Sequence, residues 1–425
     1  MNQVKTLRLA ALLLAAVMVV FAFSGCAKQA QEPTQAETQN QTDASETPKD
    51  ATEKTDETPA ESGKVIKIAY VGPMTGDNAE YGVSMSNAVQ IAIDDINAAG
   101  DTLGAKLELV IFDDKNDATE GTTAAEKACS EADVVGVIGH FSSGVAMAAA
   151  EVYEENEMPY IAISAAHPDL CAGEYIFRNN ALYDTEASSM LQTVASKGAA
   201  KFGMFVPNSD AGVSVTTETQ KWLDQFGENY APELAIIEKY DDGAVDYSAQ
   251  IQNMIQAGCE VVYTNAPYAV AAPFIKQYKE YDSDAQFITS AASFTPAFLE
   301  AAGDAANGVV LATSFFYGSE NEDVKAFVSK YTSNYGENPS NFCGQSYDAA
   351  YSYYYAMTDC GSTDHAAVRD ALHEISFTGL TGAISYNETG ECLKQQTLVG
   401  IEDGKWVEYP GVLLAGDKYL QSITK

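Results

Sequence analysis

The chain has 425 residues, with 24 basic and 60 acidic side chains and a formal net charge of −36. That length exceeds one ordinary domain and points to two. Negative charge in this excess repels nucleic acid and anionic lipid surfaces, so no nucleic-acid partner is expected; it carries no information about fold.

Residues 1–25 read as a targeting segment. Lys5 and Arg8 form a basic start, and Leu9 to Phe23 is an uninterrupted apolar run, short for a stable membrane span. The run ends in Phe23-Ser24-Gly25-Cys26, which is similar to a bacterial lipobox, with Phe23 where Leu is usual. The expectation is a lipid on Cys26 that anchors the chain to a membrane. Residues 26–63 then form a disordered tether. From 27 onward they hold no aromatic residue, no Val, Ile, Leu or Met, and three Lys against nine acids. A flexible chain of that length spans roughly 30 Å.

From Val65 the pattern changes to apolar runs of strand length alternating with amphipathic stretches. Strand Val65–Val71 leads to the loop Gly72–Glu80 and a helix from Tyr81 to Ala98, stopped by Gly100. Strand Leu107–Phe112 is closed by Asp113-Asp114-Lys115-Asn116-Asp117. No Gly and bidentate Glu follow at calcium-loop spacing, so this acidic loop reads as a solvated turn. A helix through Ala124–Cys129 leads to the most informative stretch, Val134 to Pro168. It reads as strand, loop, Ala-rich helix, strand, loop, and so as one βαβ unit. Its loops, His140-Phe141-Ser142-Ser143-Gly144 and Ser164-Ala165-Ala166-His167, should emerge at one sheet edge, where ligands of open α/β sheets sit. Small hydroxyl residues beside a helix N-terminus suit an anionic or carbonyl group.

Strand Tyr175–Arg178 is followed by helix Thr185–Lys197, strand Lys201–Val206, helix Val213–Phe226 and strand Leu234–Tyr240. Helix Tyr247–Ala257, strand Glu260–Thr264, helix Ala271–Tyr281, strand Gln286–Thr289 and strand Val309–Ser314 come next. Helices Glu322–Tyr335, Asn341–Thr358 and His365–Ile375 precede an end that reads as antiparallel strands: Ala383–Tyr386, a turn at Asn387–Gly390, Gln396–Ile401, Asp403-Gly404 and Trp406–Tyr409. Strands alternating with helices argue for an α/β fold with two parallel sheets covered on both faces. Tyr351, Tyr353, Tyr354 and Tyr355 share one helix and read as packing residues.

Six Cys remain beside Cys26: Cys129, Cys171, Cys259, Cys343, Cys360 and Cys392. None has metal-site spacing. Cys343 and Cys360 fall near opposite ends of one helix, about 25 Å apart, and cannot pair. Cys360–Cys392 is open to pairing, as is a state with all six free. There is no nucleophile elbow, no dinucleotide fingerprint and no phosphate loop. His140 beside Ser142 and Ser143 is the one candidate nucleophile–base set, and it reads as a loop histidine satisfying backbone groups. No enzyme activity, metal or cofactor is expected.

Several motifs in register carry a family likeness across residues 64–425. They are Ile66–Gly76, Tyr81-Gly82, Ala92–Gly100, Asp113-Asp114, Val137–His140 with the Ser pair, Pro159–Ala162 and Tyr347-Asp348-Ala349-Ala350-Tyr351. Together they resemble the leucine/isoleucine/valine-binding proteins of ABC transporters. The resemblance implies the type I periplasmic binding fold, two Rossmann-like lobes with parallel sheets joined by three crossovers. Lobe 1 would be 64–182 plus 315–378, and lobe 2 would be 183–314 plus 379–425. Hinges would lie near Asn180–Asp184, Ser314–Tyr317 and Ser376–Thr381. It implies a monomer that carries an amino acid or similar small molecule to an ABC permease from the outer face of the membrane. A ligand-sensing subunit for a membrane receptor would use the same fold.

Carried over by position, Tyr81 and Phe141 resemble cleft-wall residues, with Phe342 closing the side. Ser143, flanked by Ser142, resembles the donor to the ligand carboxylate. Ser164 would offer its carbonyl to the ammonium group, and Ala166, next to Ala165, its N–H to the carboxylate. Tyr268 falls within one position of a cleft aromatic, and Ala211 replaces another. The family has Thr where Ala166 stands. It has an ammonium-gripping acid where Ala291 stands. Either Asp184 or Asp210 substitutes, or the ligand lacks a free α-amino group. Amides, short peptides and aromatic acids therefore stand beside branched-chain and other apolar amino acids as ligand classes.

Overall fold

The computed structural model describes residues 64–424 apart from Asp101 and Asp282. The leader, Cys26 and the tether lie outside the described residues. The first lobe opens with β1 (Lys64–Gly72), α1 (Ala79–Ala99), β2 (Ala105–Asp113), α2 (Ala118–Ser130), β3 (Val134–Gly139), α3 (Ser143–Glu155), β4 (Tyr160–Ala162) and β5 (Ile176–Arg178). These five strands form a wholly parallel sheet in the order β2-β1-β3-β4-β5. Strands covered on both faces read as unbroken apolar runs, and every residue of β3, Val-Val-Gly-Val-Ile-Gly, is buried.

The second lobe repeats that plan. It contains α4 (Tyr183–Ser196), β6 (Lys201–Pro207), α5 (Asp210–Phe226), β7 (Glu233–Tyr240), α6 (Ser248–Ala257), β8 (Val261–Thr264), α7 (Tyr268–Lys279), β9 (Gln286–Thr289), α8 (Pro296–Ala302) and β10 (Val310–Thr313). Its parallel strands run β7-β6-β8-β9-β10, the same order as in the first sheet. The likeness extends to single residues. A Cβ on Gly82, in the first turn of α1, would lie 1.9 Å from the Pro73 carbonyl oxygen, and one on Gly212, in the first turn of α5, 1.9 Å from that of Pro207. Each lobe therefore needs glycine where the helix that follows its first strand presses on the backbone at that strand's carboxyl end.

The remaining elements are α9 (Glu322–Tyr335), α10 (Phe342–Cys360), α11 (His365–Glu374), β11 (Phe377–Gly379), β12 (Gly382–Ile384), β13 (Thr397–Glu402), β14 (Lys405–Glu408) and α12 (Gly416–Ile423). The helix α10 packs on the first sheet. Tyr353 is fully buried there and donates its hydroxyl to the carbonyls of Val137 and Pro159. Tyr351, Tyr354 and Tyr355 pack half-buried around the same core. The strands β13 and β14 extend the second sheet antiparallel to β10. Their turn has φ of +50° at Asp403 and +72° at Gly404, as a two-residue hairpin of this sequence requires.

Three expectations need correction. The strand at 382–384 pairs with β11, not with the terminal strands, and Ile384, Tyr386 and Cys392 lie in the first lobe's core. Arg178 N–H donates to the Gly390 carbonyl, and Cys392 N–H to that of Arg178. The chain therefore returns to the second lobe between Lys394 and Thr397, not at 379. The helices α8 and α12 were not foreseen. All six described cysteines are free thiols, with Cys360 exposed and Cys392 buried. Among the described residues, no helix is long and apolar enough to cross a membrane.

Candidate ligand-binding site

A cleft of about 450 Å³ opens between the two sheets, within the range of small-molecule sites. Its lining has a simple origin. All ten parallel strands contribute residues at their carboxyl end: Asn78, Asn116, Phe141–Val145, Ser164 with Ala166, Asn180, Pro207 with Ser209–Ala211, Tyr240 with Asp242, Asn265–Pro267, Ser290–Ala292 and Ser314. Two sheets of equal strand order place their switch points face to face, which is where such sheets bind ligands.

Of the residues singled out in the sequence, Phe141, Ser142, Ser143, Ser164, Ala166, Asp210, Ala291 and Phe342 line the cleft. Ser143 opens α3, whose N-cap Ser142 makes no side-chain capping bond. The first N–H groups of that helix are therefore not claimed by a cap and face the cleft at Ser143, Gly144 and Val145. The Ala166 N–H donates to the Ser143 hydroxyl at 3.2 Å. The Ser164 hydroxyl bonds back to the His140 and Phe141 carbonyls, and Asn180 donates to the Ser164 carbonyl at 2.7 Å. The two loops are thus tied to each other before any ligand enters.

Tyr81, Ala165, Asp184 and Tyr268 stand outside the lining. Tyr81 is fully buried behind Phe141, ring centroids 4.1 Å apart. Its hydroxyl donates to the Ala292 carbonyl at 2.7 Å and accepts from the Tyr268 N–H at 2.9 Å. It is a link from the first lobe to the second rather than a wall. Glu80 beside it has its Oε2 buried without a hydrogen-bond partner, and burial holds its carboxyl above the usual range. Ala165 points its carbonyl at Arg178. Asp184 lies on the outside of α4, its carbonyl accepting from the Trp222 indole. Partial burial and then the Glu218 charge push its carboxyl up. Asp210 is exposed at the cleft rim.

Tyr81→Phe keeps the ring stack and removes both hydrogen bonds. Leaving a buried carbonyl and N–H without partners costs about 1–3 kcal/mol, expected as a lower urea midpoint at an unchanged m-value. An unchanged midpoint would show that these two groups find other partners.

His140 is not a base for Ser142 or Ser143. It is fully buried, with Nδ1 2.7 Å from the Asp114 carboxylate and Nε2 2.9 Å from the Tyr153 hydroxyl. Asp113 accepts from the N–H groups of Met74 and Lys115, and Asp117 caps α2. The acidic loop is therefore used up by turn and cap bonds. Among the described residues, no group of three His, Cys, Asp or Glu could hold a metal.

The residue that sequence reasoning missed is Glu186. It lies in the first turn of α4 and lines the cleft. Its Oε1 accepts from the Tyr263 hydroxyl at 2.5 Å and from Asn265 Nδ2 at 3.2 Å. Burial pushes this carboxyl up, against those two donors. The signal was available: Tyr183 and Glu186 are three apart in a helix and share a face.

The geometry agrees with the comparisons. A family model described as "Periplasmic binding protein" matches residues 65–405. The Leu/Ile/Val-binding protein homolog 1 of Brucella abortus is 30% identical over 323 residues, covering 75% of this chain and 85% of that protein. The leucine-, isoleucine-, valine-, threonine- and alanine-binding protein of Pseudomonas aeruginosa is 28% identical over 333 residues, covering 77% of this chain and 87% of that one. Among solved structures, the branched-chain amino acid transporter substrate-binding protein LivJ of Streptococcus pneumoniae, in complex with isoleucine, superposes with a TM-score of 0.75 at 23% identity. It covers 81% of this chain and 98% of its own. Two sheets of one topology, a cleft made by all ten strand ends and a match across nearly the whole folded region lead to one conclusion: the chain belongs to the periplasmic binding protein family, alongside the Leu/Ile/Val-binding protein homologues.

Proposed function

We propose that this protein binds a branched-chain or other apolar amino acid in the cleft and delivers it to an ABC permease. In this reading it is held at the outer face of the membrane by a lipid on Cys26 and the tether through residue 63, and it acts as a monomer. The observation that carries the ligand class is the uncapped N-terminus of α3 beside Ser143 and Ala166, in a cleft also lined by the apolar rings of Phe141 and Phe342. Backbone N–H groups and a hydroxyl hold a carboxylate, and the rings cover an aliphatic side chain. The lobes, 64–182 with 315–396 and 183–314 with 397–425, close over the ligand by rotation at the three crossings. Only contacts stronger in the closed state drive that closure. A role as the sensing subunit of a receptor would use the same closure without a permease.

A thermal-shift screen of residues 64–425 against amino acids, amides, short peptides and aromatic acids tests this. A ligand at 100 times its Kd stabilises by about 2.7 kcal/mol, a shift of several degrees. The expected responders are leucine, isoleucine and valine. Silence from every standard amino acid would sink the ligand class.

A further inference from the structure

We infer that the Glu186 carboxylate is the counter-ion for the ligand's ammonium group, so that the cleft takes free amino acids and primary amines and rejects their deaminated acids. This rests on the cleft being the binding site proposed above, and it names the group that stands in for the missing acid at Ala291.

The charge inventory of the cleft is one-sided. Glu186, Asp210 and Asp242 line it, and none of the described lining residues is Lys, Arg or His. Asp210 and Asp242 are exposed at the rim, where water screens them. Glu186 sits within the cleft, and its partners are two neutral donors, Tyr263 and Asn265. Both are held in place. Tyr263 is 1% exposed, and the Asn265 carbonyl accepts from the Tyr240 hydroxyl at 3.1 Å. A carboxylate withdrawn from water with no cation beside it is unfavourable by several kcal/mol, and a cation brought by the ligand relieves that cost. A ligand whose only charge is negative would add to it.

A second, independent observation points the same way. Gln345 is 1% exposed and lines the cleft, and its side-chain oxygen has no hydrogen-bond partner. Its amide nitrogen faces the Asn180 oxygen at 3.4 Å, which orients the group. The side-chain oxygen of Gln396, on the same cleft, is also buried and without a partner. Both are acceptors waiting for donors. An ammonium offers three donors and no acceptor, and a carboxylate the reverse. Tyr183 also lines the cleft, and burial and then the nearby Glu186 charge push its phenol up.

The test is calorimetric titration of the folded chain, residues 64–425, and of Glu186→Gln with matched compounds. These are L-leucine, L-isoleucine, L-valine, isopentylamine (leucine without its carboxylate) and 4-methylpentanoate (leucine without its amine). Gln keeps the acceptor for Tyr263 and removes the charge, and a thermal melt checks that it folds. The expected result is leucine binding at least ~30-fold weaker in Glu186→Gln, with 4-methylpentanoate at least ~30-fold weaker than leucine on the native chain. Equal leucine affinity in Glu186→Gln overturns the inference and leaves the proposed function standing. So does equal affinity of the native chain for leucine and 4-methylpentanoate, a comparison that needs no variant. Isopentylamine binding that depends on Glu186, with no amino acid bound, upholds the inference and removes the amino-acid reading. No binding by any member overturns both.

Discussion

Arg178→Ala is expected to destabilise the protein by about 3–5 kcal/mol, the usual result of removing one partner from a buried, hydrogen-bonded ion pair. Arg178 has no exposed surface. Its Nε and Nη2 grip the Glu391 carboxylate in a two-bond fork at 2.9 and 2.6 Å. Its Nη1 donates to the carbonyls of His167 at 2.7 Å and Ala165 at 3.4 Å. One guanidinium therefore pins the Ser164–His167 loop to the last strand of the first sheet and clamps both to the segment near residue 391. Alanine leaves Glu391 largely buried without a cation and two carbonyls without a donor. Ligand affinity should fall as well, although Arg178 does not line the cleft, because the loop that presents Ser164 and Ala166 loses its anchor. Arg178→Lys keeps the charge but not the planar fork, so it should recover only part of the loss. Urea unfolding measures the first effect and titration with L-leucine the second. Stability within 1 kcal/mol of the native chain would mean that the fork is matched by solvation and that the loop is held by its own bonds.

Asp348→Ala should cost about as much, on the order of 3–5 kcal/mol. The Asp348 carboxylate is fully buried in α10 and accepts from the N–H groups of Leu380 and Thr381 at 2.7 and 2.9 Å and from the Thr381 hydroxyl at 2.6 Å. Lys394, also buried, donates to the same Thr381 hydroxyl at 2.7 Å. Burial pushes the Asp348 carboxyl up and the Lys394 ammonium down, and the mutual attraction of the two charges opposes both shifts. Removing the carboxylate leaves two N–H groups without an acceptor and takes a negative charge from beside a buried ammonium. The turn between β11 and β12 would come loose from the first lobe. Hydrogen exchange read at Leu380 and Thr381 should rise well before that of the strands. Unchanged protection there would show that the turn is held by β11 and β12 alone. The same contact explains why Gly379 is glycine, since a Cβ would sit 2.3 Å from the Asp348 carboxylate.

These two residues also show why the third crossing was misplaced. A Ser-Phe-Thr-Gly-Leu-Thr-Gly stretch looks like a hinge because it is rich in small and turn-forming residues. What holds it to the first lobe is a carboxylate some 30 positions earlier in the chain, and local composition carries no trace of such a partner. The helix α12 was missed for a related reason. It buries no residue fully, although its Tyr419, Leu420 and Ile423 pack on the second lobe, so its apolar positions are few.

The candidate site was legible on one side only. Ser143, Ser164 and Ala166 follow directly on strands, so finding the strands found the loops. Glu186 was passed over in favour of Asp184, two residues earlier. Two positions along a helix turn a side chain by roughly 200°, so the two acids face opposite ways. Which of them enters the cleft depends on Ala187, Leu191 and Val194 seating α4 in the second lobe's core. Tyr81 was read as a cleft wall by position, and the approach of the second lobe, through Ala292 and Tyr268, made it a link instead.

By itself the sequence determined the α/β class, most of the run of strands and helices and the loops able to receive a carboxylate. Strands buried on both faces must be apolar throughout, and helices covering them must be amphipathic, so these features are written locally. Only the tertiary structure decided which acid meets the ligand, where the chain makes its last crossing and which aromatic joins the lobes. Each of those depends on a pairing between residues dozens to hundreds of positions apart, set by the phase of a helix against its sheet and by the meeting of two lobes.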